Sequence, residues 1–248
     1  MIDFHCHLDL YQNSQVLLPI VAKRNIFTLV VTTSPRAWQM TSQIFAGYDN
    51  LKVAVGLHPE IVANKANERS LLLSSIPKAT FVGEVGIDGS LKYQDTMPIQ
   101  ESIFTETLIE CQKNGGKILS IHSRNAVPRV LNLIEKHNRD SIPVLHWFSG
   151  TLKEANYAVD LGCWFSIGPA MVNGLKGRAL LKEFPINKIL PETDGPFATI
   201  RSQPLMPWDA ISIADTLAEL WGMTKEAVYA QLQQNLMILL DANQKNGK

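Results

Sequence analysis

Runs of apolar residues of strand length alternate along the chain with segments of helix length, and this alternation limits the folds that the sequence can adopt. Eight such runs occur, and several are nearly continuous in Val, Ile, Leu and Phe, as expected of parallel strands buried on both faces. They are Met1 to His7, Phe27 to Thr33, Leu51 to His58, Thr80 to Ile87, Lys117 to His122, Ile142 to Trp147, Gly162 to Ile167 and Lys188 to Thr193. The 248 residues therefore predict an α/β fold, a (β/α)8 TIM barrel that forms a single domain over residues 1–248.

Between the predicted strands lie segments with the apolar spacing of amphipathic helices. One helix is predicted from Pro98 to Asn114, before a Gly-Gly pair that supplies a stop. A last helix is predicted from Thr224, its N-cap, to Leu240, where it would close the outer ring of the barrel.

Histidine and carboxylate side chains occur at the C-terminal ends of the predicted strands. Of the six histidines, five end a strand run, and only His137 lies in a helical stretch. The C-terminal ends of barrel strands meet at one mouth of the fold, where active sites collect. Strand alternation puts His5 and His7 on the same face of the first strand, so both can bind one ion. The predicted metal ligands are His5, His7, Glu84, His122, His146 and Asp194.

This mixture of imidazole and carboxylate groups predicts a centre with two divalent ions, which could be zinc, manganese or magnesium. Glu84 is predicted to bridge the ions, because a carboxylate can span two ions that lie about 3.5–4 Å apart. The first two histidines would hold one ion, and His122 and His146 would hold the other. Asp194 would complete the first ion and accept a proton from the attacking water. Asp194 and Glu84 are therefore the predicted catalytic residues of a hydrolase.

The composition excludes several other classes of protein. The 23 basic residues balance 23 acidic ones, so no large basic field favours duplex nucleic acid. The three cysteines are far apart and lack disulfide or zinc-finger spacing, which favours a reducing cytoplasm. No run reaches the roughly 20 apolar residues that a transmembrane helix needs, so no membrane association is expected. The chain has neither the Gly-x-Ser-x-Gly elbow of serine hydrolases nor a phosphate-binding P-loop.

Six motifs extend from residue 3 to residue 196, and all the predicted ligands lie within them. In chain order they are DFHCHLD, VGLHPE, GEVGID, IHSRNA, HWFSG and ETDGP. In this order they resemble the TatD-like metal-dependent hydrolases and deoxyribonucleases of the amidohydrolase superfamily, of which the chain looks like a short, divergent member. The resemblance implies a TIM barrel, two divalent cations and cleavage of phosphodiester bonds, commonly at DNA ends.

The resemblance also implies roles for two further positions. His58, in a Gly-Leu-His-Pro turn, matches a family histidine near the scissile phosphate, although it could instead stabilise the turn beside Pro59. Arg124 matches a basic position that contacts substrate phosphate, and the guanidinium fork suits that contact; a salt bridge to a neighbouring helix is the alternative. Trp147 stands where the family usually has a smaller residue. Alternation predicts that it packs towards the helices, and base stacking follows only if local twist turns it outward.

The loops after Asp88 and after Asp194 depart from the family pattern, and both help to form the substrate groove. Three functions therefore stay open. The first is hydrolysis of phosphodiester bonds at DNA or RNA ends. The second is an amidohydrolase that acts on a small amide, lactone or phosphoester. The third is a metal-binding subunit that acts within a multi-protein complex, since short TatD-like proteins also occur in bacterial defence operons.

Overall fold

A computed structural model describes residues 1–246, so the last two residues of the predicted domain lie outside the described part of the chain. All eight predicted strands are present, each within the predicted run. Their bounds are β1 Ile2–Cys6, β2 Phe27–Val31, β3 Leu51–Ala54, β4 Phe81–Gly86, β5 Ile118–His122, β6 Ile142–His146, β7 Trp164–Ile167 and β8 Ile189–Pro191.

Neighbouring strands pair in parallel in chain order, from β1 to β3 and from β4 to β8. A parallel bridge between Val55 and Val82 joins the two groups. After β8 the chain returns to β1, where the Asp194 amide donates to the His5 carbonyl at 2.9 Å. The strands thus follow one another around a ring, and the predicted (β/α)8 barrel is confirmed.

A buried carboxylate strengthens the seam between the first and last strands. The Asp3 side chain accepts a hydrogen bond from the Thr193 amide at 2.9 Å and a second from the Thr193 hydroxyl at 2.7 Å. Both residues are fully or almost fully buried. Because buried polar groups require partners, this pairing fixes the register of the chain just before Asp194.

Helices surround the strands and bury apolar faces against them. Their bounds are α1 Ser14–Lys23, α2 Pro35–Ile44, α3 Val62–Lys65, α4 Arg69–Ser75, α5 Met97–Lys113, α6 Val127–His137, α7 Leu152–Asp160, α8 Pro169–Val172, α9 Leu175–Leu181, α10 Ala214–Trp221 and α11 Lys225–Asn246. Among residues 1–246, no helix is long and apolar enough to cross a membrane.

The two helix predictions agree with the structure at three of their four ends. The predicted helix from Pro98 is α5, within one residue at each end. The Thr224 hydroxyl caps α11 by accepting from the Ala227 amide at 3.2 Å. The predicted end at Leu240 is wrong, because α11 continues to Asn246. Residues 241–246 contain neither glycine nor proline, so nothing in the sequence breaks the helix there.

A short hairpin after β8 has no clear signal in the sequence. Its strands, β9 Thr199–Ile200 and β10 Gln203–Pro204, pair antiparallel through a two-residue turn of Arg201 and Ser202. Both turn residues have positive φ angles, 50° and 62°. Such turns usually contain Asn-Gly or Asp-Gly, so the Arg-Ser sequence does not predict one.

Gly56, just after β3, allows the backbone of β4 to approach closely. A Cβ at this position would lie 2.3 Å from both the Glu84 amide nitrogen and the Thr32 carbonyl oxygen. We expect Gly56→Ala to destabilise the fold by about 3 kcal/mol or more, because backbone atoms cannot move aside as a flexible side chain can. Urea unfolding measures the change. Gly174→Ala, where a Cβ meets nothing closer than 3.8 Å, is the matched control, and an equal loss in both variants would contradict the steric explanation.

Candidate metal centre

One group of donor atoms lies where the first strand meets the end of the eighth. The His5 Nε2 atom is 3.4 Å from Glu84 Oε2 and 3.7 Å from Asp194 Oδ1. The His7 Nε2 atom is 3.2 Å and 3.8 Å from the same two oxygens. Four atoms that bind one ion tetrahedrally at about 2.1 Å lie roughly 3.4 Å apart. The spacing of these four atoms therefore suits a divalent ion.

The environment of His5 supports the same interpretation. Its Nδ1 atom lies 2.7 Å from the Ser120 hydroxyl, so Nε2 is the atom that faces the carboxylates. His5 is fully buried, and its Nε2 has no hydrogen-bond partner within the described residues. A buried nitrogen without a hydrogen bond is costly, and an ion on that nitrogen would remove the cost.

The other oxygen of Glu84 faces a second group of donors. The His122 Nδ1 atom lies 2.8 Å from Glu84 Oε1, and the His58 Nε2 atom lies 3.1 Å from the same oxygen. His146 stacks on His5 with ring centroids 3.6 Å apart, and its Nε2 lies 4.0 Å from Asp194 Oδ1. The two Glu84 oxygens thus face different histidines, as a bridging carboxylate requires. The sequence predicts that His58 contacts substrate phosphate. In the structure its Nε2 atom lies against Glu84 Oε1, so His58 also belongs to this group of donor atoms.

Two carboxylates that the sequence reasoning did not single out orient the later histidines. The His122 Nε2 atom lies 2.8 Å from Asp88 Oδ2, and the His146 Nδ1 atom lies 2.9 Å from Glu192 Oε2. Both carboxylates are fully buried. Metal-binding histidines commonly pair their second nitrogen with a carboxylate, which fixes the ring and its tautomer. A signal was present, because each acidic residue follows a buried strand within a motif that also contains a predicted ligand.

Neighbouring carboxylates raise the pKa of the two later histidines. Burial alone would lower the pKa of His122, but hydrogen bonds to Asp88 and Glu84 outweigh it and raise the value to about 9. Burial likewise opposes the charges of Glu192 and Asp194 at His146, where the pKa rises to about 10. Both imidazoles therefore carry protons near neutral pH that a metal ion would have to displace.

Burial dominates at His5 and Asp194. Desolvation, together with the charge of His146, lowers the pKa of His5 to about 3, so its ring is neutral and able to bind an ion. Desolvation raises the pKa of Asp194 to about 6, against the opposing charge of His146. The centre thus combines a neutral imidazole with a carboxylate that is a stronger base than usual.

Metal loading is expected to release protons, since His122 and His146 must lose theirs to bind an ion. The sign follows from the raised pKa values: at pH 7.5 both groups are protonated, so affinity should increase as the pH rises from 6.5 to 8. Calorimetric titration of metal-stripped protein with Mn²⁺, in buffers of different ionisation enthalpy, counts the protons. An affinity that stays constant over this pH range would contradict the assignment of these two ligands.

A cleft of about 380 Å³ opens above the donor atoms. The Arg124 side chain lies on the wall of the cleft and is 63% exposed. Its Nη1 atom is 3.9 Å from Glu60 Oε1, a loose ion pair.

The prediction that Trp147 faces the helices is wrong in part. Its φ angle of 38° breaks the strand alternation, so the indole packs partly on the core and also lines the cleft beside His146.

The structure brings all six predicted metal ligands to one mouth of the barrel, within a single connected cluster. His58 and Arg124 lie at the same mouth, on the cluster and on the cleft wall respectively. A (β/α)8 barrel with buried histidines and carboxylates at its strand ends defines a metal-dependent hydrolase.

The chain belongs to the TatD related DNase family, whose family model matches residues 2–241. It is 27% identical to an uncharacterized metal-dependent hydrolase of Buchnera aphidicola subsp. Baizongia pistaciae, over 97% of this chain and 96% of the relative. It is 26% identical to deoxyribonuclease TATDN3 of Homo sapiens, over 96% of this chain and 94% of the relative. The fold matches the crystal structure of YjjV, a TatD homologue from Escherichia coli, with a TM-score of 0.85, 23% identity, and coverage of 96% and 97% of the two chains.

Proposed function

We propose that this protein hydrolyses phosphodiester bonds at the ends of DNA or RNA strands with the help of two divalent ions. The observation that carries the proposal is the division of the Glu84 carboxylate: Oε2 faces His5 and His7, and Oε1 faces His58 and His122. The position of Arg124 on the wall of the same cleft supports a substrate with phosphate groups. A human relative named as a deoxyribonuclease supports nucleic acid as the substrate.

The proposed ligands of the first ion are His5, His7, Glu84 and Asp194. Glu84 and His122 would hold the second ion together with His146, as the sequence predicts, or with His58, which lies nearer to Glu84. Divalent ions in such a centre polarise the phosphoryl oxygen and make water acidic enough to act as a nucleophile near neutral pH. Zinc, manganese and magnesium all remain candidates.

The chain's own residues supply proton transfer and orientation. The Asp194 carboxylate would accept the proton of the attacking water, because it is the carboxylate of the centre that is partly exposed to the cleft, at 14%. One carboxylate oxygen of Asp194 would face the first ion, which leaves its other oxygen to accept the proton. Arg124 would donate hydrogen bonds to phosphate oxygens and so hold the substrate in line, and His58 Nε2 would do the same in the arrangement where His146 completes the second ion.

We expect Arg124→Lys to lower kcat/KM for phosphodiesters by about tenfold, because lysine cannot make the two parallel hydrogen bonds of a guanidinium fork. Steady-state kinetics with an oligonucleotide substrate measures the loss. Arg129, an exposed arginine that pairs with Glu101 on the outer helices, offers the control Arg129→Lys. Equal kinetics in wild type and Arg124→Lys would assign Arg124 to structure.

The direct test of the proposed function is cleavage of 3′- and 5′-labelled single strands of DNA and RNA by metal-reconstituted protein. Shortening from one labelled end would support the proposal and give the polarity of digestion. Absence of cleavage with two ions bound would favour a small amide, lactone or phosphoester as the substrate, or a requirement for partner proteins.

Action within a multi-protein complex, including a complex of bacterial defence, stays a prediction. A cytoplasmic location does too, and the three buried cysteines without disulfides support it.

A further inference from the structure

The Trp147 side chain lines the cleft but has no role in the proposed chemistry. It follows β6 directly, and its amide donates to Glu192 Oε1 at 3.1 Å. Its φ angle of 38° is unusual for a bulky residue, and it turns the side chain towards the mouth. The indole stands perpendicular to the His146 ring, with centroids 6.3 Å apart, and lines the same cleft as Asp194 and Arg124.

Phe197 is a second aromatic side chain at the mouth, on the segment that follows Asp194. It is 61% exposed, although a phenyl ring loses favourable burial energy when it faces water. Its ring makes a T-shaped contact with the His7 ring, with centroids 5.0 Å apart. Phe197 thus flanks the first group of donor atoms, as Trp147 flanks His146.

The two rings end a continuous row of aromatic rings that crosses the centre. Neighbouring centroids are 5.0 Å apart from Phe197 to His7, 5.3 Å from His7 to His5, 3.6 Å from His5 to His146 and 6.3 Å from His146 to Trp147. The inner three members are proposed metal ligands. The outer two carry no chemistry of their own: Trp147 lines the cleft, and Phe197 is exposed to solvent on the His7 side of the centre.

We propose that Trp147 and Phe197 stack on nucleobases of the bound strand, one on each side of the scissile phosphate. The inference rests on the proposed function, and it adds base contacts to the phosphate contact of Arg124 in a chain whose 23 basic and 23 acidic residues leave no large basic field. Aromatic stacking on bases is strong and tolerates any sequence, because every base has a π-face. Only unstacked bases can use it, so the arrangement selects frayed or single-stranded ends over duplex.

The test is equilibrium binding of labelled oligonucleotides to Mn²⁺-loaded protein, with phosphorothioate linkages that resist hydrolysis. Trp147→Ala and Phe197→Ala should each weaken binding by about tenfold, while Trp147→Phe should keep most of the affinity. The probes then carry a single abasic site, moved one position at a time along the strand. For each variant, one position should remove the difference from wild type, and the two positions should differ.

Bound manganese and circular dichroism of each variant verify that the centre and the fold are intact. Leu175→Ala is the matched control: the side chain is 90% exposed beside Lys176, which contacts the Ser149 carbonyl near the cleft, but it has no ring. An equal loss in this control, or losses that no abasic position removes, would overturn the stacking. A single shared position would overturn the two-sided arrangement. Wild-type protein that binds no strand would overturn the proposed function itself, whereas normal binding by both alanine variants would overturn the stacking alone.

Discussion

Asp194→Asn is expected to lower kcat for phosphodiester cleavage by about 10³-fold, the usual scale for loss of a general base. Asparagine has the same shape and can still offer an oxygen to an ion, but it cannot accept a proton. The backbone should tolerate the change, because residue 194 has a positive φ of 56°, a region that both aspartate and asparagine adopt more readily than most residues.

Measurement of kcat together with metal content separates loss of the base from loss of an ion. If Asp194 acts mainly as a base, kcat collapses while both ions are retained. Loss of the first ion, which Asp194 would help to hold, would instead attribute the fall in kcat to the missing ion. Asp215→Asn provides the control, since Asp215 is an exposed aspartate that pairs with Lys225 on the outer helices. A kcat within tenfold of wild type would remove Asp194 from the chemistry.

Glu84→Ala is expected to empty both metal sites, from about two ions per chain to fewer than one, and to reduce cleavage to background. The reason is geometric: each carboxylate oxygen faces a different pair of histidines, so no other side chain can replace both contacts. Glu84→Gln keeps the volume and one ligand oxygen, and it should retain at most one weakly held ion. Elemental analysis after dialysis, combined with cleavage rates, measures both effects.

Glu84 is almost fully buried among histidines, so its removal can also affect folding. The glutamine variant controls for this, because it preserves packing, and circular dichroism of both variants reports the fold. Glu101→Ala, on the surface, is the control for purification and dialysis. One tightly held ion that is unaffected in either Glu84 variant would indicate a mononuclear centre.

The barrel could be predicted because the sequence repeats its signal in every βα unit. Each strand lies in a short, mostly apolar run, as buried parallel strands require, and several of these runs end at a histidine. The six proposed ligands follow from the same rule, since the C-terminal ends of barrel strands meet at one mouth. The barrel and the positions of the ligands depend on the local apolar pattern and on the topology of the fold. An error of one or two residues in the predicted end of a strand changes neither.

Features that depend on a single backbone angle or on distant partners could not be predicted. Alternation sends Trp147 towards the helices, and only the observed φ of 38° reverses part of that orientation. The approach of His58 to Glu84 joins the turn after β3 to β4, a contact for which the sequence gives no distance. Asp88 and Glu192 lie within the GEVGID and ETDGP motifs, but a ligand pattern does not reveal which carboxylate orients a ligand instead of binding the ion.

The seam between β1 and β8 has a consequence for the nascent chain. The first donor group takes His5 and His7 from one end of the barrel and Asp194 from the other, and the Asp3–Thr193 pairing holds these ends together. A growing chain at the ribosome therefore has no complete centre until residue 194 has emerged. A metal-dependent hydrolase built this way is therefore expected to stay inactive until the ring of strands is complete.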